Sequence, residues 1–427
     1  MIAALLVALA LAARLPAAAA APAAAYEAVL AAANFTGNAR VTHGPGTTVW
    51  RQSFGYRSRK YRVPMDKDAR FPVASNTKLY VAISLYQLQE QGKVVLSRPV
   101  ADYLPPSALA ALGFPPQVTR WCPVVAGSPA TACRNVTFQQ LLGMSAGLPD
   151  LGFQFRPYPG SLAAVVGWHL TAPNGQLLFE PGTQYYYSNP SFMLGAYMVE
   201  LLSGQPFGDY LRANIMDPLG LSRHTYYDPY NGKLGGDDGR VDEFYRWLDP
   251  ATKAEVAWGP CSSEFDLGSA NGAGGIVSTQ VDEATLYYTL FNFSAPMARW
   301  GRPVLRDPAS VVSIVAPWTP MPGSGNYYAQ GLFIWSPNAS APVPPRIMYE
   351  GEIMCSLTAN YFDTTATPHV LTQVWSNTHV RFVSSAALAA QQASERGSFF
   401  SFLQSLPGAP GGGLMGLATA LHNLYMQ

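Results

Sequence analysis

The pattern of hydrophobic and polar positions changes period along the chain, and each change predicts a different element. From 34 to 55 (NFTGNARVTHGPGTTVWRQSFG) the two classes alternate around a His43-Gly44-Pro45-Gly46 turn, the signature of a β-hairpin. From 75 to 92 (SNTKLYVAISLYQLQEQG) apolar residues recur at helical spacing and stop at Gly92, a residue suited to ending a helix. The stretch 93–325 mixes short helical patterns with Pro- and Gly-rich loops, and 137–148 and 190–203 are its clearest helices. Strand-like runs then follow one another (YAQGLFIWS, RIMYEGEIM with CSLTANYFD, HVLTQVWS), before a helical segment over 383–405. Strands at both ends and helices between them predict an α+β fold. One antiparallel sheet is built from 34–80 and 326–405 and covered by the terminal helix. The middle forms a mainly helical lobe, with a ligand cleft between the two.

The first 25 residues break this picture. An apolar run, MIAALLVALALAA, is followed by Arg14 and an alanine-rich stretch with small-residue cleavage sites near Ala19–Ala21. The run is shorter than the ~20 apolar residues that span a bilayer, so it reads as a secretory signal peptide over 1–25. No Lys or Arg precedes it; an uncleaved anchor or an organellar transit peptide is the alternative. A single domain over 26–400 and a tail over 406–427 follow.

Cysteine usage agrees with a secretory route. Cys122, Cys133, Cys261 and Cys355 are even in number, as disulfides require. Cys122 and Cys133 close a short loop and form the more natural local pair, leaving Cys261 with Cys355. Three pairings are open, as is a set of four buried thiols. Asn34, Asn135, Asn292 and Asn338 each begin an N-x-S/T sequon, which would make the chain a secreted glycoprotein. With charged residues at 12% and a net charge of +1, the chain has no basic field for nucleic acid or acidic lipid. Small-molecule chemistry or protein contact is the expectation that remains, and no stable membrane span is expected.

Ser75-Asn76-Thr77-Lys78 is the only S-x-x-K in the chain. At a helix start, residues three apart share a face, so a hydroxyl and an amine can touch, and the amine can take the hydroxyl's proton. Read alone, Ser75 is as well explained as an N-cap and Lys78 as a solvated surface residue. Tyr187-Ser188-Asn189, the only Y-x-N, offers a phenol to move a proton and an amide to orient a lysine. Its plainer reading is an aromatic turn with Asn189 as N-cap before Pro190. Tyr349-Glu350-Gly351-Glu352 lies on a predicted strand whose glycine permits close approach of a substrate backbone, or simply marks a strand end.

Taken in order, these elements resemble the S-x-x-K, Y-x-N and K-T-G (or H-x-G) motifs of class C β-lactamases, DD-peptidases and related serine esterases. FPVASNTK, TFQQLLGMSAGLPD, FEPGTQYYYSN and NGAGGIVSTQVDEATL are similar to further segments of that superfamily, over about 35–380. The resemblance implies a β-lactamase/transpeptidase-like fold and a serine hydrolase without metal or cofactor, acting on a small-molecule or peptide-like acyl substrate. In it Ser75 is the nucleophile, Lys78 its base and Tyr187 the proton carrier. Asn189 holds lysine and substrate, and the N–H groups of Ser75 and Glu352 form the oxyanion hole. A Ser-His-Asp triad is disfavoured, because the six histidines stand apart from these motifs. Two departures bear on substrate. Tyr349 stands where the superfamily carries Lys or His, and Glu350 and Glu352 would repel an anionic substrate. The expectation is therefore an esterase, amidase or D-aminopeptidase that hydrolyses penicillins poorly. A true β-lactamase or DD-peptidase is one alternative, and a catalytically silent binding glycoprotein is the other.

Overall fold

A computed structural model describes residues 23–129, 131–152, 160–171, 174–228, 239–249, 251–252, 254–261, 267–335, 343–382 and 421–423. The segment 1–22, the helix expected over 383–405 and the sequon at Asn338 lie outside them.

The principal sheet has eight strands. In chain order they are β1 (Gly37–His43), β2 (Thr48–Phe54), β3 (Thr319–Pro320), β4 (Tyr327–Tyr328), β5 (Phe333–Trp335), β6 (Arg346–Ile353), β7 (Ser356–Asp363) and β8 (Val370–Ser376). Their spatial order is β3-β4-β5-β6-β7-β8-β1-β2, and every pair is antiparallel. Both ends of the chain meet in it: Asn38 lies opposite Trp375 and Val41 opposite Thr372. Period-two alternation decides which side chains face which layer. Val370 and Val374 join the outer cluster, whereas Leu371 and Trp375 join the main core.

The outer face is closed by α1 (Ala23–Ala32), whose buried Tyr26 and Leu30 pack on β1 and β8 residues, and by Leu421. Residues 23–25, expected at the end of the signal peptide, are therefore helical. The inner face is covered by α2 (Thr77–Glu90), which is buried from Thr77 through Leu88 and ends with Gly92 in the left-handed region. A helix surrounded on all sides must satisfy its polar groups internally. Tyr80 does so by donating to Glu283 (2.6 Å), and the Gln87 amide nitrogen by donating to the carbonyls of Asn214 and Val304 (2.9 and 2.8 Å). Beyond α2 lie α3 (Phe138–Leu142) and α4 (Asn189–Ser203) of the helical lobe.

The middle section is less purely helical than its pattern suggests. Phe244–Leu248 and Glu255–Pro260 form a hairpin, and Thr378–Phe382 joins it in parallel. Helix α5 (Gln280–Leu290), within the stretch expected in the middle lobe, lies on the principal sheet. Tyr288 there donates to the carbonyl of Thr42 (2.8 Å) and Gln280 to that of Asn38 (2.9 Å). The structure joins Cys122 to Cys133 and Cys261 to Cys355.

Candidate active site

The turn carrying Ser75 is shaped by strain and by a buried amide. Ala74 adopts φ +50°, a left-handed conformation that costs a non-glycine residue ~1 kcal/mol or more. The sequence predicted a helix from residue 75, but Ser75 sits in a short 3-10 turn (Ala74–Asn76) and α2 begins at Thr77. Asn76 pins this turn to the sheet. Its side chain donates to the carbonyl of Val73 (3.0 Å) and to Thr358 (2.8 Å), and accepts from Asn360 (2.9 Å).

Strand β6 passes against the same turn, and its glycine is required there. A Cβ on Gly351 would lie 2.3 Å from the carbonyl oxygen of Val73 and 2.7 Å from Asn76 Nδ2, closer than any real Cβ contact. Because β5 pairs with β6 only over Arg346–Met348, the stretch 349–353 has β7 on one side and leaves its other edge to the Ser75 turn. That places Gly351 and Glu352 beside the nucleophile candidate.

Lys78, one helical turn on, is fully buried. Its Nζ donates to Ser75 Oγ (2.9 Å), Asn189 Oδ1 (2.8 Å) and the carbonyl oxygen of Ala273 (2.9 Å). Three acceptors match the three hydrogens of an ammonium, so a buried charge here has its bonds satisfied. Lys78 also lies 4.9 Å over the Tyr187 ring. Tyr187 donates its hydroxyl hydrogen to Ser75 Oγ at 2.8 Å, so the serine oxygen is held between amine and phenol.

Asn189 is not the N-cap of α4. Ser188 takes that role by accepting from the Ser191 N–H, which frees the Asn189 amide for Lys78. Its orientation is set by Asp150, whose Oδ2 accepts from both the backbone N–H (3.1 Å) and Nδ2 (2.8 Å) of Asn189. Asp150 reaches it because the expected helix over 137–148 stops early. Helix α3 ends at Leu142, and Met144 turns into the left-handed region at φ +55°. The released segment packs on the Y-x-N turn through the Met144 carbonyl, which accepts from Tyr186 N (2.9 Å).

Tyr349 points into this constellation. Its hydroxyl lies 3.3 Å from that of Tyr187 and 2.9 Å from that of Tyr328. Burial holds both Tyr349 and Tyr328 well above the usual phenol range, so they are neutral. Glu352 behaves unlike an ordinary carboxylate: burial, then its neighbour Glu350, pushes it up to about 9. At neutral pH the pair therefore carries less negative charge than two ordinary carboxylates, a correction to the repulsion expected above.

The structure thus brings together Ser75, Lys78, Tyr187, Asn189 and Tyr349, with Gly351 and Glu352 on the adjacent strand. The sequence pattern gave no role to Asp150, Tyr328, Asn76 or the Ala273 carbonyl, although all four lie inside segments singled out above. Of the sequons, Asn135 is exposed, Asn292 is partly buried, and Asn34 accepts from Arg246 at 2.9 Å.

Comparison with known proteins bears on the family and the fold. The putative D-alanyl-D-alanine carboxypeptidase of Escherichia coli (strain K12) is 28% identical over 250 residues, covering 52% of this chain and 50% of that protein. The chain spans about half the length, or less, of the first curated relatives it matches. The crystal structure of a penicillin binding protein from Bacillus halodurans superposes with TM-score 0.61 at 21% identity, covering 86% of this chain and 98% of that one. The D-amino acid amidase of Ochrobactrum anthropi gives TM-score 0.60 at 20% identity, covering 84% and 91%. These two likenesses concern the fold. The family model described as Beta-lactamase matches residues 23–333, which contain the S-x-x-K and Y-x-N elements but stop short of Tyr349, and the chain belongs to that family.

Proposed function

We propose that the protein is a secreted serine hydrolase that cleaves an ester or amide through a Ser75 acyl-enzyme. The observation that carries this is the serine oxygen bonded at once to Lys78 Nζ and Tyr187 OH. Both bonds donate to Ser75, so the catalytically competent Lys78–Tyr187 pair holds one proton fewer. As Ser75 Oγ bonds to the carbonyl carbon, its proton passes to that pair and the carbonyl electrons move onto oxygen. The N–H groups of Ser75 and Glu352 stabilise the oxyanion. Collapse breaks the bond to the leaving group, which takes the proton through the Tyr187 oxygen. Water, activated the same way, then releases the acid.

Neutral or amine-bearing acyl compounds suit the site, because Tyr349 offers no cation to a substrate carboxylate and the Glu350–Glu352 pair keeps some negative charge. The name of a structural neighbour, a D-amino acid amidase, is compatible with that class. Hydrolysis of D-amino-acid peptides is the second reading, favoured by the named carboxypeptidase relative. Secretion is supported by the N-terminal apolar segment and by two disulfides, which persist in oxidising compartments; sequencing the mature N-terminus from a secreting host tests it.

A fluorophosphonate probe tests the nucleophile. Labelling is expected in the wild type and absent in Ser75→Ala, with a surface-serine variant labelled normally. A wild type that neither labels nor turns over short p-nitrophenyl esters would sink the proposal. A panel of esters, D-amino-acid amides and β-lactams on one preparation separates the two substrate readings. Nitrocefin turnover matching an authentic β-lactamase would refute the preference for neutral substrates.

A further inference from the structure

We propose that Tyr328 and Tyr349 form a directed chain of hydrogen-bond donors that supports the Tyr187 oxygen in place of a cation, making Tyr328 a positioning residue for the reaction. The inference rests on the reading of Tyr187 as the proton carrier.

Direction follows from counting hydrogens. Each phenol has one. That of Tyr187 goes to Ser75 Oγ. The hydrogen between Tyr187 and Tyr349 therefore belongs to Tyr349, and the one between Tyr349 and Tyr328 belongs to Tyr328. Every donor in the row points toward Ser75. Bonds aligned this way polarise one another.

Packing holds the row in place. Tyr328 on β4 and Tyr349 on β6 are 0% and 1% exposed, so water does not compete for their hydroxyls. Phe333 on the intervening β5 lies edge-on to Tyr328 (4.9 Å) and tilted against Tyr349 (5.3 Å), while Tyr187 meets Tyr328 edge-on at 6.3 Å. When the Tyr187 oxygen has given up its proton, Tyr349 donates to an anion, and a bond of 3.3 Å at rest can shorten. Tyr328 behind it replaces the hydrogen-bonding capacity Tyr349 has spent. Two neutral phenols thus support the charge without adding one, which leaves the site free of attraction for substrate carboxylates.

A double-mutant cycle read by the rate of fluorophosphonate labelling at Ser75 tests this without knowledge of the physiological substrate. Tyr349→Phe is expected to slow labelling about tenfold and Tyr328→Phe about threefold, as for loss of direct and relayed hydrogen bonds. In the double variant, Tyr328→Phe is expected to add nothing, and KM for a short ester stays constant while kcat follows the labelling rate. Tyr185→Phe, which removes a hydroxyl from a ring packed 6.0 Å from Tyr328, leaves the rate unchanged. Equal slowing by Tyr328→Phe with and without Tyr349→Phe, or no slowing by either, overturns the donor chain while labelling of the wild type keeps Ser75 as nucleophile. Absence of wild-type labelling overturns both.

Discussion

Asp150 touches nothing that would react, yet two bonds from Asn189 end on one of its oxygens. Without it the Asn189 amide is free to turn its NH2 toward the Lys78 ammonium, a like-signed contact. Asp150→Ala is expected to lower kcat for a p-nitrophenyl ester by about ten- to a hundredfold, in line with ~1–3 kcal/mol for buried partners left unpaired. Asp150→Asn keeps an accepting oxygen and loses less; steady-state kinetics of both variants check the order. Glu352 gives a prediction of opposite kind. Its carboxyl titrates at about 9 folded against 4.5 ordinarily, so folding is favoured fully below pH 4.5 and progressively less as pH rises through 9. Glu352→Gln removes that loss. The melting temperature of the variant relative to the wild type is expected to rise across this range, and thermal unfolding at several pH values measures it. Asp150 does not announce itself in the sequence, since the fold brings Asn189 to it; Glu352 was singled out there, but its retained proton was not, because burial is its largest cause. Ser75, Lys78, Tyr187 and Asn189 were singled out by the ordered motifs that resemble one superfamily, because short spacing alone left an N-cap or a turn as good a reading.

Elements were read best where apolar runs were bounded by turn residues. The alternating 34–55 hairpin and the strand-like runs near the C-terminus stand as β1, β2 and β5–β8. Helix α3 was overestimated because its apolar pattern continues through Gly143 and Met144, whose backbone turns away from the helix. The Phe244–Leu248 strand was missed in a loop-rich stretch, where five alternating positions (buried, partly buried) are too few to stand out. Strand β6 carries the most exacting local demand. Gly351→Ala must push β6 away from the Ser75 turn, because the atom it meets is a backbone carbonyl. Overpacking of this kind costs ~1–3 kcal/mol, and misplacing a strand by a fraction of an ångström costs rate as well. The variant is expected to label at Ser75 at least about tenfold more slowly, with a lower melting temperature; an unchanged rate would show that β6 is not part of the site.

At the scale of the molecule, Cys261–Cys355 ties the middle section to the β6–β7 turn, bridging 94 residues directly behind the strand beside Ser75. Closing a loop of that length is worth ~2–5 kcal/mol. Cys261→Ser with Cys355→Ser is expected to lower the melting temperature by several degrees and to slow labelling. Opening Cys122–Cys133, which spans 11 residues, costs less. Mass spectrometry of non-reduced peptides verifies the pairing first. The α+β architecture was legible from the distribution of strands and helices. The placement of α5 on the sheet was not, because it buries Gln280, Asp282 and Glu283 as well as apolar residues, so its pattern does not say which partner it faces.

The pairing of Asn38 with Trp375 also sets a timetable. At ~5–20 residues per second, a ribosome needs on the order of tens of seconds to travel from one partner strand to the other. Throughout that interval β1 has only β2 beside it, and its other edge waits unpaired, open to any strand that arrives first. The nucleophile turn is synthesised early and its opposing strand late. On the proposed reading, acylation at Ser75 would therefore have to wait until β6 is laid beside that turn and the sheet closes.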